Sequence, residues 1–299
     1  MTHLGSGGEF DRLRGVFARL ASAAALGDDC ALVTVAGTPL ALSSDLALEG
    51  RHFRRAWMTA GEIGWRAASA ALSDLAAVAA DPQGVLSSVA LPASLPPAYL
   101  EDLMAGVDAA ARAVGAQVWG GDLTQGEHIV VDVTVVGHAP HPVRRSGARP
   151  GDGVWVTGRF GGAAAALAAW ESGATPTAAA RERFAHPEPR VAWARWLAGQ
   201  GATALIDVSD GLAGDGGHVA AASGVALALD ADRVPCHPDA SSDQALSGGE
   251  DYELLVTLSG SWDAPPPWLT RIGEVVSGVG VRWTRDGLPF EPARGYSHF

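Results

Sequence analysis

Apolar residues recur along the chain with two periods, and the alternation between them predicts the elements. Phe10, Leu13, Phe17 and Leu20 fall at helical spacing among arginines, so Glu9 to Leu20 reads as a short amphipathic helix. ALVTVAG (31–37) and PLALSSDLAL (39–48) are apolar or alternating runs bounded by Gly and Pro, as strands are. The Ala-rich stretch from Thr59 to Ala80 reads as a helix that stops before Asp81-Pro82. GVLSSVALP (84–92) predicts a strand, Pro97 to Val114 a helix, and AQVWGGD (116–122) and IVVDVTVVGH (129–138) two more strands. The pattern then restarts with the strand VWVTG (154–158), the helix GGAAAALAAW (161–170) and a helix over Val191–Leu197. The strand TALIDVS (203–209), a Gly-interrupted helix to Ser223, the strand VALALD (225–230), a polar loop at 235–243, the strand YELLVTL (252–258) and a pair near 270–284 complete the chain.

Between the two runs, HAPHPVRRSGARPGD (138–152) gathers Pro, Gly and Arg without periodicity, which suits a connection between domains. The expected division is 1–140 and 141–299. Strand and helix alternate in both halves, so the fold class is α/β or α+β with two lobes. The length of 299 residues accommodates this.

Composition narrows the chemistry. The formal net charge is −12, and all 21 basic residues are arginine, because the sequence holds no lysine. That excludes a P-loop lysine, the strand lysine of protein kinases, a pyridoxal Schiff base and a lysine general base. An acidic chain is also a poor partner for nucleic acid or an anionic membrane. Cys30 and Cys236 are too few and too far apart for a disulfide framework or a zinc cluster, the nine histidines include no H-E-x-x-H, and no G-x-S-x-G occurs. Without a secretory leader or an apolar stretch long enough to span a bilayer, a soluble cytoplasmic protein is expected.

The remaining candidates are acids. Aspartates stand beside Gly or Ser at predicted strand ends in Gly27-Asp28-Asp29, Ser43-Ser44-Asp45, Gly120-Gly121-Asp122 and Asp207-Val208-Ser209-Asp210-Gly211. Any one of them reads equally as a turn or a helix cap. Four together point further. Ser43 and Asp45 share a strand face, as do Asp207 and Ser209, and oxygen-only ligands suit Mg²⁺. Asp74 lies in a predicted helix with Ala70, Ala71, Ala77 and Val78 as its helical neighbours, so either a cation meets its charge or the helix ends early and Asp74 caps its second half. Carboxylates gathered in a lysine-free chain fit a polyphosphate ligand if Mg²⁺ stands between them, with arginine supplying further charge. Arg144, Arg145 and Arg149 form the best cluster for that, the alternative being a solvated basic loop.

In order and spacing, GEF (8–10), LGDDCAL (26–32), SSDLALEGRHF (43–53), LSDLAAVAADP (72–82), GGDLT (120–124), RRSGARPGD (144–152), HPEPRVA (186–192), IDVSDGLAGDGGH (206–218), SGGEDYELL (247–255) and GYSHF (295–299) resemble the thiamine-monophosphate kinases. These belong to the superfamily of aminoimidazole ribonucleotide synthetase, whose other members share the Asp-rich Mg-ATP site; the segments at 247–255 and 295–299 favour the kinase over such a synthetase or a catalytically inactive nucleotide-binding homologue. The resemblance implies Mg²⁺ ligands at Asp29, Ser43, Ser44, Asp45, Asp74, Asp122, Asp207 and Asp210, ATP contacts at Gly121, Asp122, Arg145 and Ser209, and thiamine-phosphate contacts at His52, Glu250 and Tyr296. It also implies an N-terminal lobe that binds ATP and Mg²⁺ and completes a β-barrel across a homodimer, and a C-terminal α/β lobe. The chain departs from the family pattern at Ser44, Ala71, Leu123 and Gln125, and Gly214-Asp215-Gly216-Gly217 is expected to form a looser loop.

Overall fold

A computed structural model describes residues 8–20, 27–260, 262, 264–293 and 295. Helix α1 (Gly8–Phe17) precedes a hairpin of β1 (Ala31–Val35) and β2 (Thr38–Leu48). Its two-residue turn, Ala36-Gly37, has φ of +48° and +82°, the positive pair whose twist matches that of the flanking strands. Helix α2 (Ala60–Ala77), β3 (Asp81–Leu91), α3 (Pro97–Ala113), β4 (Gln117–Gln125) and β5 (Val130–His138) follow. The strands form one sheet in the order β1-β2-β5-β3-β4, antiparallel except for β3 with β4, which α3 connects.

Helix α2 begins at a reciprocal cap. Thr59 Oγ1 accepts from the Glu62 amide and the Glu62 carboxylate accepts from the Thr59 amide. Arg181 binds the same carboxylate and, although burial opposes it, these partners lower the Glu62 pKa to about 2. The helix stays unbroken past Asp74 to Ala77, which removes the early-end reading, and Ala79 at φ +55° turns the chain out before the expected Ala80. Helices α2 and α3 lie together over one face of the sheet, with Ile63, Leu72, Leu75, Leu103, Val107, Val131, Val133 and Val135 in the core between. Their backbones approach closely at Gly64 and Gly106, where a Cβ would fall within 1.9 Å of the Leu103 and Gly61 carbonyl oxygens.

The second sheet comprises β6 (Gly153–Thr157), β7 (Ala202–Val208), β8 (Ala226–Asp230), β9 (Glu253–Leu258), β10 (Leu269–Val276), β11 (Gly280–Arg285) and β12 (Leu288–Phe290). Its order is β12-β11-β8-β10-β6-β9-β7. Helices α4 (Gly162–Glu171), α5 (Ala178–Ala185), α6 (Val191–Gly199), α7 (Leu212–Ser223) and α8 (Ser242–Ser247) surround it. The central strands are buried on both faces: Val154, Val156, Ile206, Val208 and Leu255 enter one core, and Trp155, Leu205, Leu254 and Val256 enter the other together with Ala76 of α2. Helix α2 is therefore shared by both lobes. The expected loose loop at 214–217 is instead the first half of α7, where Gly216 lies against Leu227, Leu229 and Leu255, and the loop expected at 235–243 already contains the Ser241 cap of α8. Among the described residues no helix is long and apolar enough to cross a membrane.

Among the described residues no element covers the face of the first sheet away from α2, where Leu46 and Leu86 are exposed; Trp119 and Leu123 of the edge strand β4 are exposed as well.

Candidate metal centre

The strand period places the first ligand. Asp207 lies two residues beyond Leu205 and so shares the face of β7 that meets α2, while Ile206 and Val208 enter the opposite core. Ser73 of α2 donates to Asp207 Oδ2 at 2.6 Å. One residue on, Asp74 points towards β2, where Ser43 Oγ donates to its Oδ2 at 2.5 Å, and the Cys30 thiol donates to its carbonyl at 3.2 Å. Asp29, just after the Gly27 turn, completes the group: oxygens of Asp29, Asp74 and Asp207 all lie within 4.8 Å of one another.

Three carboxylates this close cannot all be charged without a cation. Burial, then Asp207, Asp29 and Asp45, holds the Asp74 carboxyl well above the usual carboxylate range, against the Ser43 hydrogen bond. Burial and then Asp29 push Asp207 up to about 7. Arg145 supplies partial relief, with Nη2 2.5 Å from Asp29 Oδ1 and its amide donating to Asp28 Oδ1 at 3.3 Å. Behind it, burial raises Asp215, with Asp210 and Asp207 adding to the effect. The donor set is all oxygen, converges from three elements and is short of positive charge, so its residues fit Mg²⁺.

Two cavities meet at this cluster. A cleft of about 620 Å³ is bordered by Asp45, His52, Trp57, Asp74, Glu250 and Tyr252. A smaller pocket of about 240 Å³ is bordered by Leu13, Phe17, Asp29, Arg145, Asp215 and His218. Asp207, Ser209 and Asp210 border both. A separate cavity of about 700 Å³ beside the 138–146 connection contains Arg144 and none of the clustered acids.

The structure thus gathers Asp29, Ser43, Asp45, Asp74, Asp207, Ser209, Asp210 and Arg145, with His52 and Glu250 across the cleft. His52 Nδ1 accepts from the Leu48 amide at 3.0 Å, which fixes its ring at the rim. Ser44, on the opposite face of β2, turns its hydroxyl to Thr134 at 2.9 Å and Asp132 at 3.3 Å, away from the cluster. Gly121 and Asp122 are also apart within one chain. Asp45, Val133, Ser87 and Gly121 form one row of the sheet, which puts Gly121 three strand spacings, about 14 Å, from Asp45. Asp122 falls in the neighbouring row with Ser88, Asp132 and Leu46, on the open face. Tyr296 lies outside the described residues. Sequence reasoning missed Ser73 and Asp215; the Ser-Asp pair at 73–74 carried a signal, since adjacent polar residues on a helix shared by two lobes serve both.

Residues 27–139 match the family model for the AIR synthase related protein, N-terminal domain. Over 91% of its length the chain is 35% identical to thiamine-monophosphate kinase of Mycobacterium tuberculosis strain H37Rv, covering 85% of that protein, and over 97% it is 35% identical to that of Salmonella typhimurium, covering 95%. The structure of AaThiL complexed with AMPPCP and TMP superposes with a TM-score of 0.88 at 32% identity, covering 99% of this chain and 97% of that one. This chain belongs to the thiamine-monophosphate kinase family. Within that family's fold, the acids cluster at the junction of its two sheets, on the helix common to both lobes.

The raised acids make two outcomes measurable. Between the unfolded value of 3.8 and about 7 the folded, metal-free chain holds protons on Asp207 that the unfolded chain has lost, so this group's stabilisation falls as pH rises through that range. A divalent cation must displace those protons, so Mg²⁺ affinity should weaken as pH drops below about 7. Asp74→Asn should raise the metal-free melting temperature at pH 8 by a few degrees, on the order of 1 kcal/mol, while lowering turnover by roughly 10²-fold or more. Scanning calorimetry with and without Mg²⁺, beside an activity assay, checks both; a less stable, fully active variant would contradict the reading.

Proposed function

We propose that this chain transfers the γ-phosphoryl group of ATP to the phosphate of thiamine monophosphate, giving thiamine diphosphate and ADP. The observation that carries the reading is the meeting of two cavities at one acid cluster, since a phosphoryl donor in one and an acceptor in the other would bring their phosphates together there. Family membership and the likeness to a kinase structure complexed with AMPPCP and TMP support it. An acceptor phosphate oxygen attacks the γ-phosphorus, the bond to the β,γ-bridging oxygen breaks, and ADP leaves with that electron pair.

Mg²⁺ held by Asp29, Asp74 and Asp207, with Ser43, Asp45 and Asp210 beside them, would neutralise phosphate charge. Arg145 binds Asp29 through Nε and Nη2, leaving Nη1 for an ATP phosphate, and Ser209 stands where the cavities meet. Opposite, the Trp57 ring, stacked 4.9 Å from Trp170, and Phe184 form an aromatic wall for the thiamine rings, with His52 and Glu250 as polar contacts; Tyr296, outside the described residues, is proposed as a further contact on the family resemblance alone. Gly121 and Asp122 serve an ATP site only if the first sheet meets a second copy, and the exposed Leu46 and Leu86 of its open face, with Trp119 and Leu123 of its edge strand β4, favour that homodimer. A biosynthetic kinase drawing on the ATP pool fits a cytoplasmic location, and the connection around 140 divides its two lobes.

Incubation with ATP, Mg²⁺ and thiamine monophosphate should yield thiamine diphosphate, with initial-rate lines that intersect and inversion at a chiral γ-phosphorus. Parallel lines with retention, or a labelled protein from γ-labelled ATP alone, would establish a phosphoenzyme instead. Arg145→Lys keeps the charge and loses the fork, so it should raise the KM for ATP about tenfold, whereas Arg144→Lys, on the exposed connection, should change it less than about twofold. Sedimentation should find two copies, and Leu86→Asp, on the open face, should shift the population to single chains with loss of activity.

A further inference from the structure

Arg66 lies two helical turns before Asp74 on α2, on the face that Ala70 presents to the cleft. Its side chain is 5% exposed and is held on three sides. Nη1 donates to the Phe184 carbonyl at 2.5 Å, the guanidinium carbon stands 3.9 Å over the Phe184 ring, and Nη2 approaches Glu250 Oε2 at 2.6 Å. The same Glu250 oxygen accepts from the Tyr252 hydroxyl at 2.5 Å. Both contacts fall on Oε2. Among the described residues no hydrogen bond reaches Oε1, and the Glu250 side chain, 30% exposed, borders the cleft.

The backbone around this carboxylate is strained in its favour. Glu250 and Tyr252 both adopt left-handed φ, +70° and +51°, which side chains rarely occupy. The strain is held by the Glu250 amide donating to the Ser209 carbonyl at 2.7 Å and the Tyr252 amide to the Val208 carbonyl at 2.8 Å, and Gly249 passes so near that a Cβ would meet the Ser209 oxygen at 2.4 Å. Two consecutive anchors to the end of β7 thus turn Glu250 and Tyr252 towards the cleft and place their polar ends together. Strain of this kind, locked from several directions, is characteristic of a functional element.

We propose that Arg66 and Tyr252 are positioning residues that clamp Glu250 by one oxygen, so that the other accepts a hydrogen bond from the aminopyrimidine of the substrate and sets selectivity for an amine at that position. The inference rests on the cleft being the thiamine monophosphate site. Burial, with Glu250 beside it, raises the Tyr252 phenol well above its usual range, so it stays a donor throughout the working pH. Because Arg66 belongs to the helix that carries Asp74, substrate recognition and the metal cluster share one rigid element.

The test uses the full chain with thiamine monophosphate and with its oxo analogue, which carries a carbonyl in place of the amine. Tyr252→Phe should raise the KM for thiamine monophosphate about tenfold, leave the KM for ATP within about twofold, and reduce the preference for amine over carbonyl by a similar factor. Arg66→Lys should do the same in smaller measure. In a Glu250→Ala background the added effect of Tyr252→Phe should vanish, since a positioning residue has nothing left to position. If the wild type makes no thiamine diphosphate, the assigned activity and this inference both fail. If the wild type is active but Tyr252→Phe alters both KM values equally, or keeps its full effect beside Glu250→Ala, the clamp alone is refuted.

Discussion

The crowding of carboxylates at the contact between α2 and β7 is the constraint on which the rest of the structure depends. Asp29, Asp74 and Asp207 are brought within 4.8 Å of one another by elements whose cores are otherwise apolar, and they repel where partial burial weakens screening by water. Protons hold the cluster together in the absence of metal, as the raised Asp74 and Asp207 values express. The arrangement is stabilised by everything around it: the α2–α3 contact at Gly64 and Gly106, the two-faced burial of β7, and the Arg145 guanidinium paired with Asp29. Stability is spent at the site and recovered in the scaffold, the usual relation between a strained functional centre and the fold that carries it.

Helix α2 is where the two lobes become one machine. Its Ser73 serves β7, its Asp74 serves β2 and the acid cluster, its Ala76 enters the second core, and its Arg66 reaches the 248–252 segment. Residues on successive faces of one helix cannot shift independently. Under the proposed function, a substrate group at Glu250 and a phosphate near Asp74 would therefore be registered by the same rigid body. A second network reinforces the same geometry: Glu253, fully buried on β9, receives Arg183, Arg190 and the Thr157 hydroxyl, and so ties α5 and α6 to the sheet beneath the cleft.

Much of this was legible in the chain. Periods of apolar residues placed most of the strands and long helices, and the absence of lysine with a surplus of aspartate pointed to arginine and divalent metal before any fold was considered. The misreadings share a cause. The 214–217 segment looked loose because glycine disfavours helix locally, yet Gly216 packs against Leu227 and Leu229 of β8 and Leu255 of β9, and that tertiary contact holds the helix. Ser44 stands beside Asp45 in sequence, yet strand alternation turns it to the open face, where the row order of the sheet also puts Asp122.

By itself the sequence determined the chemistry: an aspartate among alanines on a helix requires a cation or a proton, whatever surrounds it, because desolvation is a property of the residue and its immediate neighbours. Only the tertiary structure decided which acids come together, since Asp29, Asp74 and Asp207 are far apart in the chain and meet through the pairing of β2, the seat of α2 and the face of β7. It decided equally that Glu250 is held by Arg66, because their approach depends on two left-handed residues and a backbone anchor that no local spacing encodes.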